Sequence, residues 1–571
     1  MRLQVSKSTN AASFYVVKSV YTKGKRTSKI VEKLGTYEEL KAKLNGADPY
    51  EWAKEYVAEL TRLEKEGAEP VVIAKYLPSK LIEKGSQRSF NGGYLFLQQI
   101  YHELKLNKLC EEISQKYKFT FDLNSILSRL LYSRIIYPSS KLATFQLSTR
   151  FIEQPNFELQ HIYRALEVLA KETDLIQSSL YNNSLKISKR NTGVLYYDCT
   201  NYFFEIEQEE GKKQYGPSKE HKPNPIVQMG MFMDGDGIPL AFSINKGNTN
   251  EQLTLKPLEE KILSDFDLSK FIVCTDAGLA SASNRKFNSK GERAYITTQS
   301  IKKLKKHLME WALDPKGWSF ADDIDTYDIT ILDEKKDWNK IFYKERWIKE
   351  NGLEEKIVVT YSMKYRDYQR NIRNSQIERA QKAITSSSVR LKKCNPNDYK
   401  RFIEKSHYTA DGEAAEHETY SINAGLISKE EAFDGFYAVC TNLEDDASEI
   451  IKVNRRRWEI EECFRIMKSE FRARPVYLSR DDRIEAHFTT CFIALIIYRL
   501  LEKRLKEKYT CHEIVDGLRD MNFFEVKGEG YVPCYTRTDF TDDLHEAFSF
   551  RTDYQIVNTR QMKKIFKETK K

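Results

Sequence analysis

The stretch Phe271-Ile272-Val273-Cys274-Thr275-Asp276 decides the fold class, because an apolar run ends there in a carboxylate. Consecutive apolar and β-branched residues without alternation are typical of a strand buried on both faces. Strands of that kind belong to sheets that helices cover. The stretch therefore predicts an α/β protein, with Asp276 at the tight turn Ala277-Gly278 that follows the strand.

The residues around this strand predict a mixed sheet. Strands are expected over 194–200, 225–233 and 239–245, and the turn signal Asp234-Gly235-Asp236-Gly237 joins the last two. A helix over 252–266 leads into the apolar strand, and a fifth strand is expected over 294–299. The predicted order is three meander strands, helix, strand, helix, strand. Asp198 lies near the end of the first of these strands.

Further along, Arg456-Arg457-Trp458-Glu459-Ile460-Glu461-Glu462-Cys463-Phe464-Arg465-Ile466-Met467-Lys468 predicts an amphipathic helix. Its buried stripe is expected to comprise Ile460, Phe464, Met467 and Phe471. The neighbouring face carries Arg457, Glu461, Arg465, Lys468 and Arg472. A carboxylate among cations is usually a solvated, salt-bridged helix face. It can also hold a divalent metal while the cations hold phosphates.

Three carboxylates are candidates for one site: Asp198, Asp276 and Glu461. Ligands of open α/β sheets gather at the carboxyl ends of strands, and a helix packed across two such strands would bring the three together. Two metals about 4 Å apart would then activate an attacking oxygen and stabilise a leaving one. The alternative for each aspartate is a turn residue or a helix cap.

Composition limits the classes of function. The 571 residues predict several domains, and the net charge of +9 is weak evidence for a polyanionic partner. The nine cysteines lack metal-ligand spacing and are expected to be reduced thiols. The apolar run 491–498 is too short to cross a bilayer, and Met1-Arg2-Leu3-Gln4-Val5 lacks the apolar core of a signal peptide. We expect a soluble intracellular protein without a membrane partner. The absence of a phosphate-binding GxxxxGK[ST] loop predicts no nucleotide cofactor.

These motifs together resemble the insertion-sequence DDE transposases of the branch with the Tyr-Arg-Glu-Lys signature. In that signature two residues separate Tyr from Arg, three separate Arg from Glu, and six separate Glu from Lys. Arg457, Glu461 and Lys468 fit this spacing, whereas Asn454 stands at the Tyr position. Tyr196-Tyr197-Asp198-Cys199-Thr200 looks like the first-Asp strand of the family, and Thr275-Asp276-Ala277-Gly278 looks like its second-Asp turn.

The resemblance implies a ribonuclease H-like catalytic domain that performs cut-and-paste DNA transposition. Asp198, Asp276 and Glu461 would be the catalytic residues and would hold two Mg²⁺ ions, for which Mn²⁺ would substitute. The partners would be double-stranded transposon-end and target DNA, bound by a homodimer in a synaptic complex. The compartment would be the prokaryotic cytoplasm, with action at the nucleoid.

The pattern of elements along the chain, together with the resemblance, divides the chain into six segments. The ranges are 1–85, a hairpin and helix with a possible DNA contact at the basic tip; 86–190, a helical DNA-binding or dimerisation region; 191–304, the first part of the ribonuclease H-like core; 305–435, a β-containing insertion domain; 436–508, the second part of the core with the Glu461 helix; and 509–571, a C-terminal region with a basic tail.

Basic and aromatic side chains are the candidate DNA contacts. The cations are Arg457, Lys468, Arg465, Lys219, Lys222, Arg366, Arg370 and Arg373. A solvated face is the alternative for each of them. Four tryptophans of the predicted insertion are Trp311, Trp318, Trp338 and Trp347. They form a hydrophobic core, or, as the resemblance implies, one of them stacks on a base flipped from the transposon end.

Two other functions remain open at this stage. One is a DNA-binding regulator descended from a transposase and catalytically inactive. The other is a ribonuclease H-like nuclease that hydrolyses DNA without joining it. Magnesium-dependent cleavage separates the transposase from the first, and strand-transfer products separate it from the second.

Overall fold

The computed structural model describes residues 1–8, 11–22, 25–44, 48–67, 78–321, 323–350, 352–386, 398–407 and 418–571. The chain forms two compact units, Met1–Lys84 and Gly85–Lys571. Each unit has apolar residues enough to form a core of its own.

The first unit is an antiparallel sheet followed by two helices. Its elements are β1 (Arg2–Ser8), β2 (Ala11–Thr22), β3 (Lys25–Thr36), α1 (Tyr37–Lys43) and α2 (Pro49–Gly67). The predicted hairpin is confirmed as β2–β3, whereas the strand β1 was not predicted from the sequence. Phe14, Leu40 and Ala53 form the core. The side chains of the basic tip, 22–26, lie outside the described residues.

The second unit begins with a short strand and a run of helices, as the sequence predicted for 89–188. They are β4 (Ser89–Asn91), α3 (Tyr94–Glu103), α4 (Leu106–Tyr117), α5 (Leu123–Ile136), α6 (Lys141–Ser148), α7 (Leu159–Lys171) and α8 (Thr173–Ser184). The predicted helix 91–110 is divided, because Lys105 adopts a left-handed conformation with φ 54° between α3 and α4. Asp122 begins α5 by accepting a hydrogen bond from the backbone of Ser125.

The central strands follow in the predicted order. They are β5 (Val194–Phe203), β6 (Ile226–Asp234), β7 (Pro239–Lys246), β8 (Ile272–Thr275) and β9 (Ala294–Thr298), with α9 (Leu255–Asp265) before β8 and α10 (Ala282–Asn288) after it. β5, β6 and β7 form an antiparallel meander. β8 pairs parallel to β5, and β9 pairs parallel to β8. The fold is therefore mixed α/β, as predicted.

The segment expected to be an insertion domain contributes strands to the same sheet. Its elements are α11 (Lys306–Leu313), β10 (Ser319–Phe320), β11 (Phe342–Glu350), β12 (Leu353–Tyr361), α12 (Met363–Thr385), β13 (Ile403–His407), β14 (Glu418–Ile422), α13 (Ala424–Glu431) and β15 (Phe436–Thr441). Within the described ranges, the sheet has nine strands in the order β10-β11-β12-β15-β9-β8-β5-β6-β7. The interpretation as a separate insertion did not foresee this continuity, because backbone pairing between β12 and β15 leaves little signal in side-chain patterns.

The C-terminal part supplies the helix of Glu461 and a second sheet. Its elements are α14 (Ala447–Arg455), α15 (Trp458–Arg465), α16 (Asp481–Arg504), α17 (Cys511–Asp520), β16 (Asn522–Val526), β17 (Gly530–Pro533), α18 (Asp539–Phe548), β18 (Val557–Asn558) and α19 (Thr559–Glu568). A π-helical turn, Ile466–Glu470, continues α15. The second sheet has the order β18-β17-β16-β4, so the C-terminal region pairs with β4 at the start of the unit.

The helix α16 is the core helix predicted around 491–498. Among the described residues it is the one helix long and apolar enough to cross a membrane by length and composition, and 94% of its most apolar window is buried inside the protein. It packs against α5 and α7 on one side and contacts β7 on another. Its burial explains the unbroken apolar sequence without a membrane.

Candidate active site

Asp198 lies on β5, between β6 and β8. The backbone N–H of Cys199 donates a hydrogen bond of 2.7 Å to its Oδ1 atom. Burial raises the pKa of Asp198 to about 6; the positive charge of Lys219 opposes this rise, and the negative charge of Asp276 adds to it. Asp198 is therefore a buried carboxylate close to a second one. Burial and the second carboxylate favour its protonated form, and a neighbouring cation favours its ionised form.

Asp276 comes to the same place from β8. Tyr196 of β5 pairs with Cys274 of β8, and each aspartate lies two residues beyond this pair. Neighbouring strands are about 4.8 Å apart, so the two carboxylates are neighbours just beyond the last paired residues of β5 and β8. Asp276 follows the end of β8, whereas Asp198 lies within β5, which continues to Phe203, so the prediction that Asp198 lies near the end of its strand is wrong. Oδ1 of Asp276 also accepts a hydrogen bond from the backbone of Leu279 at 3.1 Å. The aspartate thus caps a turn and faces the site, so both interpretations of the sequence apply.

Glu461 is not part of this pair. Its side chain on α15 is 56% exposed and forms an ion pair with Arg457, whose Nη2 lies 3.2 Å from Oε1. The positive charge of Arg457 also acts on Asp198 and on Cys274 of β8. Arg457 thus links Glu461 to the aspartates. The structure brings the two aspartates together on neighbouring strands and pairs Glu461 with Arg457 on the surface of α15.

The carboxylates of the site are the candidate ligands for a metal ion. Across the described ranges, no three His, Cys, Asp or Glu side chains are arranged as a metal-binding group. Mg²⁺ nevertheless binds through one or two carboxylates and completes its coordination with water and phosphate. Burial is the main cause of the raised pKa of Asp198, and the negative charge of Asp276 adds to it; a divalent cation beside the two carboxylates would oppose both effects. The two aspartates therefore fit such a cation.

Two lysines stand beside Asp198. Nζ of Lys219 donates to the carbonyl oxygen of Cys199 at 2.5 Å and lies 3.0 Å from Oε1 of Glu251. Although burial favours the neutral amine, the carboxylates of Asp198 and Glu251 raise the pKa of Lys219. Nζ of Lys468 donates to Oγ1 of Thr200 at 2.6 Å. Burial and the neighbouring charge of Lys219 lower the pKa of Lys468 to about 8, against the attraction of Asp198.

The predicted DNA contacts Arg465, Arg366, Arg370 and Arg373 form ion pairs with carboxylates of the same chain, whereas Lys222 is exposed. Arg465 binds Glu462 and Glu470 on the outer side of α15. The stripe on α12 faces carboxylates of its own chain: Arg366 with Glu334 and Asp367, Arg370 with Asp434, and Arg373 with Asp434 and Glu431. Arg373 forms a bidentate pair at 2.7 and 2.6 Å and is buried, which leaves it no access to DNA. Lys222 is exposed, with Nζ 5.7 Å from the ring centre of Phe203.

The four tryptophans divide between core and surface. Trp318 is fully buried and donates to the carbonyl of Asp314, and Trp311 packs against the same core, so the core interpretation is confirmed for this pair. Trp338 and Trp347 are 37% and 44% exposed. Neither lines the cavity beside Glu461. That cavity, of about 510 Å³, is lined instead by Tyr365, Tyr368, Tyr437, Trp458, Arg457 and Glu461, among others.

Several residues of the site carried no sequence signal. Glu251, in a short 3-10 helix after β7, binds Lys219, and Glu220, in the loop after β5, binds Lys468; neither glutamate was predicted as a site residue. Tyr437 on β15 accepts a hydrogen bond of 3.3 Å from Asn454, the residue at the signature Tyr position. A phenol therefore lies beside this position but comes from another element. The apolar, aromatic strand 436–441 could have suggested Tyr437, but not its partner.

Comparison with known proteins adds a family match. A family model described as "Transposase DDE domain" matches residues 199–497, which is more than half of the chain. No curated protein matches the sequence.

Two solved structures are similar only remotely. The piggyBac transposase synaptic complex with hairpin DNA has a TM-score of 0.36 at 9% identity, covering 85% of this chain and 88% of that chain. The Mos1 transposase paired-end complex with left transposon end has a TM-score of 0.13 at 13% identity, covering 41% and 64%. At these scores neither structure supports an argument about this one.

Proposed function

Because this chain belongs to the family of proteins with a transposase DDE domain, we propose that it cuts an insertion sequence at its terminal inverted repeats and joins it to target DNA. The observation that carries the proposal is the pair formed by Asp198 within β5 and Asp276 just after β8, beside Lys219, Lys468 and Arg457. Adjacent carboxylates suit divalent cations, and surrounding cations suit phosphates.

The metal-holding residues would be Asp198, Asp276 and Glu461. Bound Mg²⁺ ions, for which Mn²⁺ would substitute, would activate the attacking oxygen and stabilise the leaving oxygen of a phosphoryl displacement. Glu461 would join the aspartates only after it separates from Arg457. A DNA phosphate would favour that separation, because it offers Arg457 an alternative anion. Binding of DNA and completion of the carboxylate set would thus be coupled.

Further features are proposed at finer detail. The central order β9-β8-β5-β6-β7, with its antiparallel meander, supports a ribonuclease H-like core. The spacing of Arg457, Glu461 and Lys468 supports the Tyr-Arg-Glu-Lys branch. We retain the six predicted segments as functional divisions, although 305–435 shares the main sheet. A homodimer acting on double-stranded DNA in a prokaryotic cytoplasm completes the proposal.

The test is cleavage of end-labelled DNA that carries the flanking inverted repeats of the gene, with Mg²⁺ and with EDTA. Asp198→Asn and Asp276→Asn should each reduce cleavage at least about a thousandfold, since a metal-holding charge contributes several kcal/mol in the transition state. Glu461→Gln should have the same effect. Glu462→Gln, one residue along α15 and paired with Arg465, is the matched control and should cleave normally.

The outcomes separate the three functions. Mg²⁺-dependent cleavage followed by joined products supports the transposase. Cleavage without joined products would favour the nuclease, and specific binding without cleavage would favour the regulator. Near wild-type cleavage by any one of the three carboxylate variants would remove that residue from the site.

A further inference from the structure

A second cationic cavity lies away from the aspartates. It has a volume of about 320 Å³ and is bounded by the end of α5, the loop before α6 and the segment 472–478 that follows the π-helical turn. Its cations are Arg134, Lys141, Arg472 and Arg474. No carboxylate is among the described residues that line it. Arg474 pairs with Glu220, which lies outside the lining, so the cations of the cavity without a carboxylate partner in the described part of the chain are Arg134, Lys141 and Arg472.

Lys141 is the buried lysine that lines this cavity, and it lacks a counter-ion in the described part of the chain. The residue is only 7% exposed, and its ammonium donates no hydrogen bond to, and forms no ion pair with, any residue in the described ranges. It is also the first residue of α6, where the helix dipole disfavours a cation. Burial, together with the positive charge of Arg134, lowers the pKa of Lys141 to about 7. A buried ammonium ordinarily has a carboxylate or another anion as partner.

Arg134 faces the same cavity with its charge uncompensated. It is 5% exposed, and its hydrogen bonds go to two neutral carbonyls, Phe471 at 3.0 Å and Ser139 at 3.5 Å. Its Nε atom has no hydrogen-bond partner in the described part of the chain. The nearby imidazole of His487 hydrogen-bonds the carbonyl of Ala473 and supplies no negative charge. Two buried cations thus meet in one cavity.

We propose that this cavity binds a phosphate group. Four cations and the hydroxyls of Ser139 and Ser140 line it, and such groups recognise the oxygens of a phosphate. The volume accommodates one phosphate with water, since a water occupies about 30 Å³. The source is a backbone phosphodiester of DNA or free inorganic phosphate.

A chain of ion pairs connects the lining of the cavity to the candidate active site. Arg474 contacts Glu220, and Glu220 lies 3.5 Å from Nζ of Lys468, which faces Asp198. A phosphodiester held here would extend the DNA contact beyond the scissile position. Only that source of the phosphate depends on the proposed function; the anion site itself does not.

The first experiment measures thermal unfolding of the full chain in sodium phosphate and in sodium chloride at matched ionic strength. For wild type, phosphate should raise Tm by about 2 °C more than chloride, because only the folded chain has the site. Lys141→Met should begin with a higher Tm, since it removes an unpaired buried charge, and should lose the extra response. Lys108→Met, at an exposed lysine of α4, is the matched control and should respond as wild type does.

The second experiment measures binding of duplex DNA over a range of NaCl concentrations by fluorescence anisotropy. A salt slope smaller by about one unit in Lys141→Met identifies the ligand as a DNA phosphate. An unchanged slope with a lost phosphate response identifies free phosphate. If Lys141→Met misfolds, Lys141→Gln replaces it.

The proposal is overturned if Lys141→Met keeps both the phosphate response and the salt slope of wild type, or if wild type shows no phosphate response and the slope does not change. Neither measurement involves cleavage. A failure of the transposase proposal would therefore leave this test intact.

Discussion

At the scale of single residues, Arg457 forms an ion pair with Glu461, and its positive charge also acts on Asp198. Glu461 was predicted as a metal ligand from its position in a row of cations, and the structure pairs it with the cation four residues earlier at 3.2 Å. Lys468 of the same row is turned toward β5, whereas Arg465 faces Glu462 and Glu470. Cations of one sequence row therefore have different environments, and their substitution should have different effects.

The first prediction follows from these environments. Arg457→Ala and Lys468→Ala should each weaken binding of end DNA and reduce its salt slope by about one unit, because each removes one phosphate contact. Arg465→Ala should change neither quantity, since Arg465 is paired on the outer face. Fluorescence anisotropy at stepped salt measures both. If Arg457→Ala and Lys468→Ala leave both the affinity and its salt slope unchanged, as Arg465→Ala should, then Arg457 and Lys468 are structural ion-pair partners.

The second prediction concerns pH and Lys141. Its folded pKa is about 7, below the ordinary 10.5, so between these values the unfolded chain binds more protons. Stability contributed through this residue therefore rises with pH from about 7 toward 10.5. From pH 7 to pH 9, wild type should gain about 2 kcal/mol relative to Lys141→Met. Urea unfolding of both proteins at the two pH values measures it, and parallel pH profiles would contradict the buried, unpaired state.

At the scale of elements, the π-helical turn after α15 explains why Arg465 and Lys468, cations of the same predicted row, contact different partners. The predicted row assumed a continuous α-helix through Arg472. The turn Ile466–Glu470 widens the helix, so residues after Arg465 lie at a different angle. Lys468 thereby reaches Thr200 on β5, and its neighbour Met467 remains buried. A local irregularity, rather than the periodicity, sets which cation faces the aspartates.

The β6–β7 turn connects the sheet to the same helix and gives the third prediction. Gly237 has φ +79°, and a Cβ atom there would lie 2.1 Å from Oε2 of Glu459 and 2.4 Å from Nη2 of Arg499. Gly237→Ala should cost about 1 kcal/mol for the backbone conformation and roughly 1–3 kcal/mol more for the displaced ion pair. Urea unfolding gives the loss.

Gly528→Ala is the control for that measurement. Gly528 has φ +87° with nothing within 4 Å of its Cβ position, so its variant should show the backbone cost alone. An equal loss for the two variants would mean that Glu459 and Arg499 move aside freely.

At the scale of the whole molecule, the chain forms two units with separate apolar cores. Phe14, Leu40 and Ala53 lie in the first core, and α16 runs through the second. The C-terminal strands return to pair with β4, so the second unit needs its last residues as well as its first. Removal of C-terminal residues should therefore affect the whole second unit.

The fourth prediction tests this division. A chain of residues 85–571 should unfold cooperatively, with Tm within a few degrees of the full chain, because its core is complete. A chain ending at residue 520 should fail to fold, since β4 would lose β16. Circular dichroism during heating measures both. The affinity of 85–571 for end DNA then shows whether residues 1–84 contribute to binding.

The sequence by itself determined the mixed sheet, its central order and the buried helices, because each depends on local apolar patterning over many residues. It also made Asp198 and Asp276 candidates for the site, since a carboxylate within or after an apolar strand is a local signal. Only the tertiary structure decided which charges meet. Backbone pairing brought 305–435 into the main sheet, Arg457 paired with Glu461, and Arg373 became buried against Asp434. Long-range contacts of this kind leave no periodic trace, because a cation and its partner carry the same sequence signal whether they bind each other or DNA.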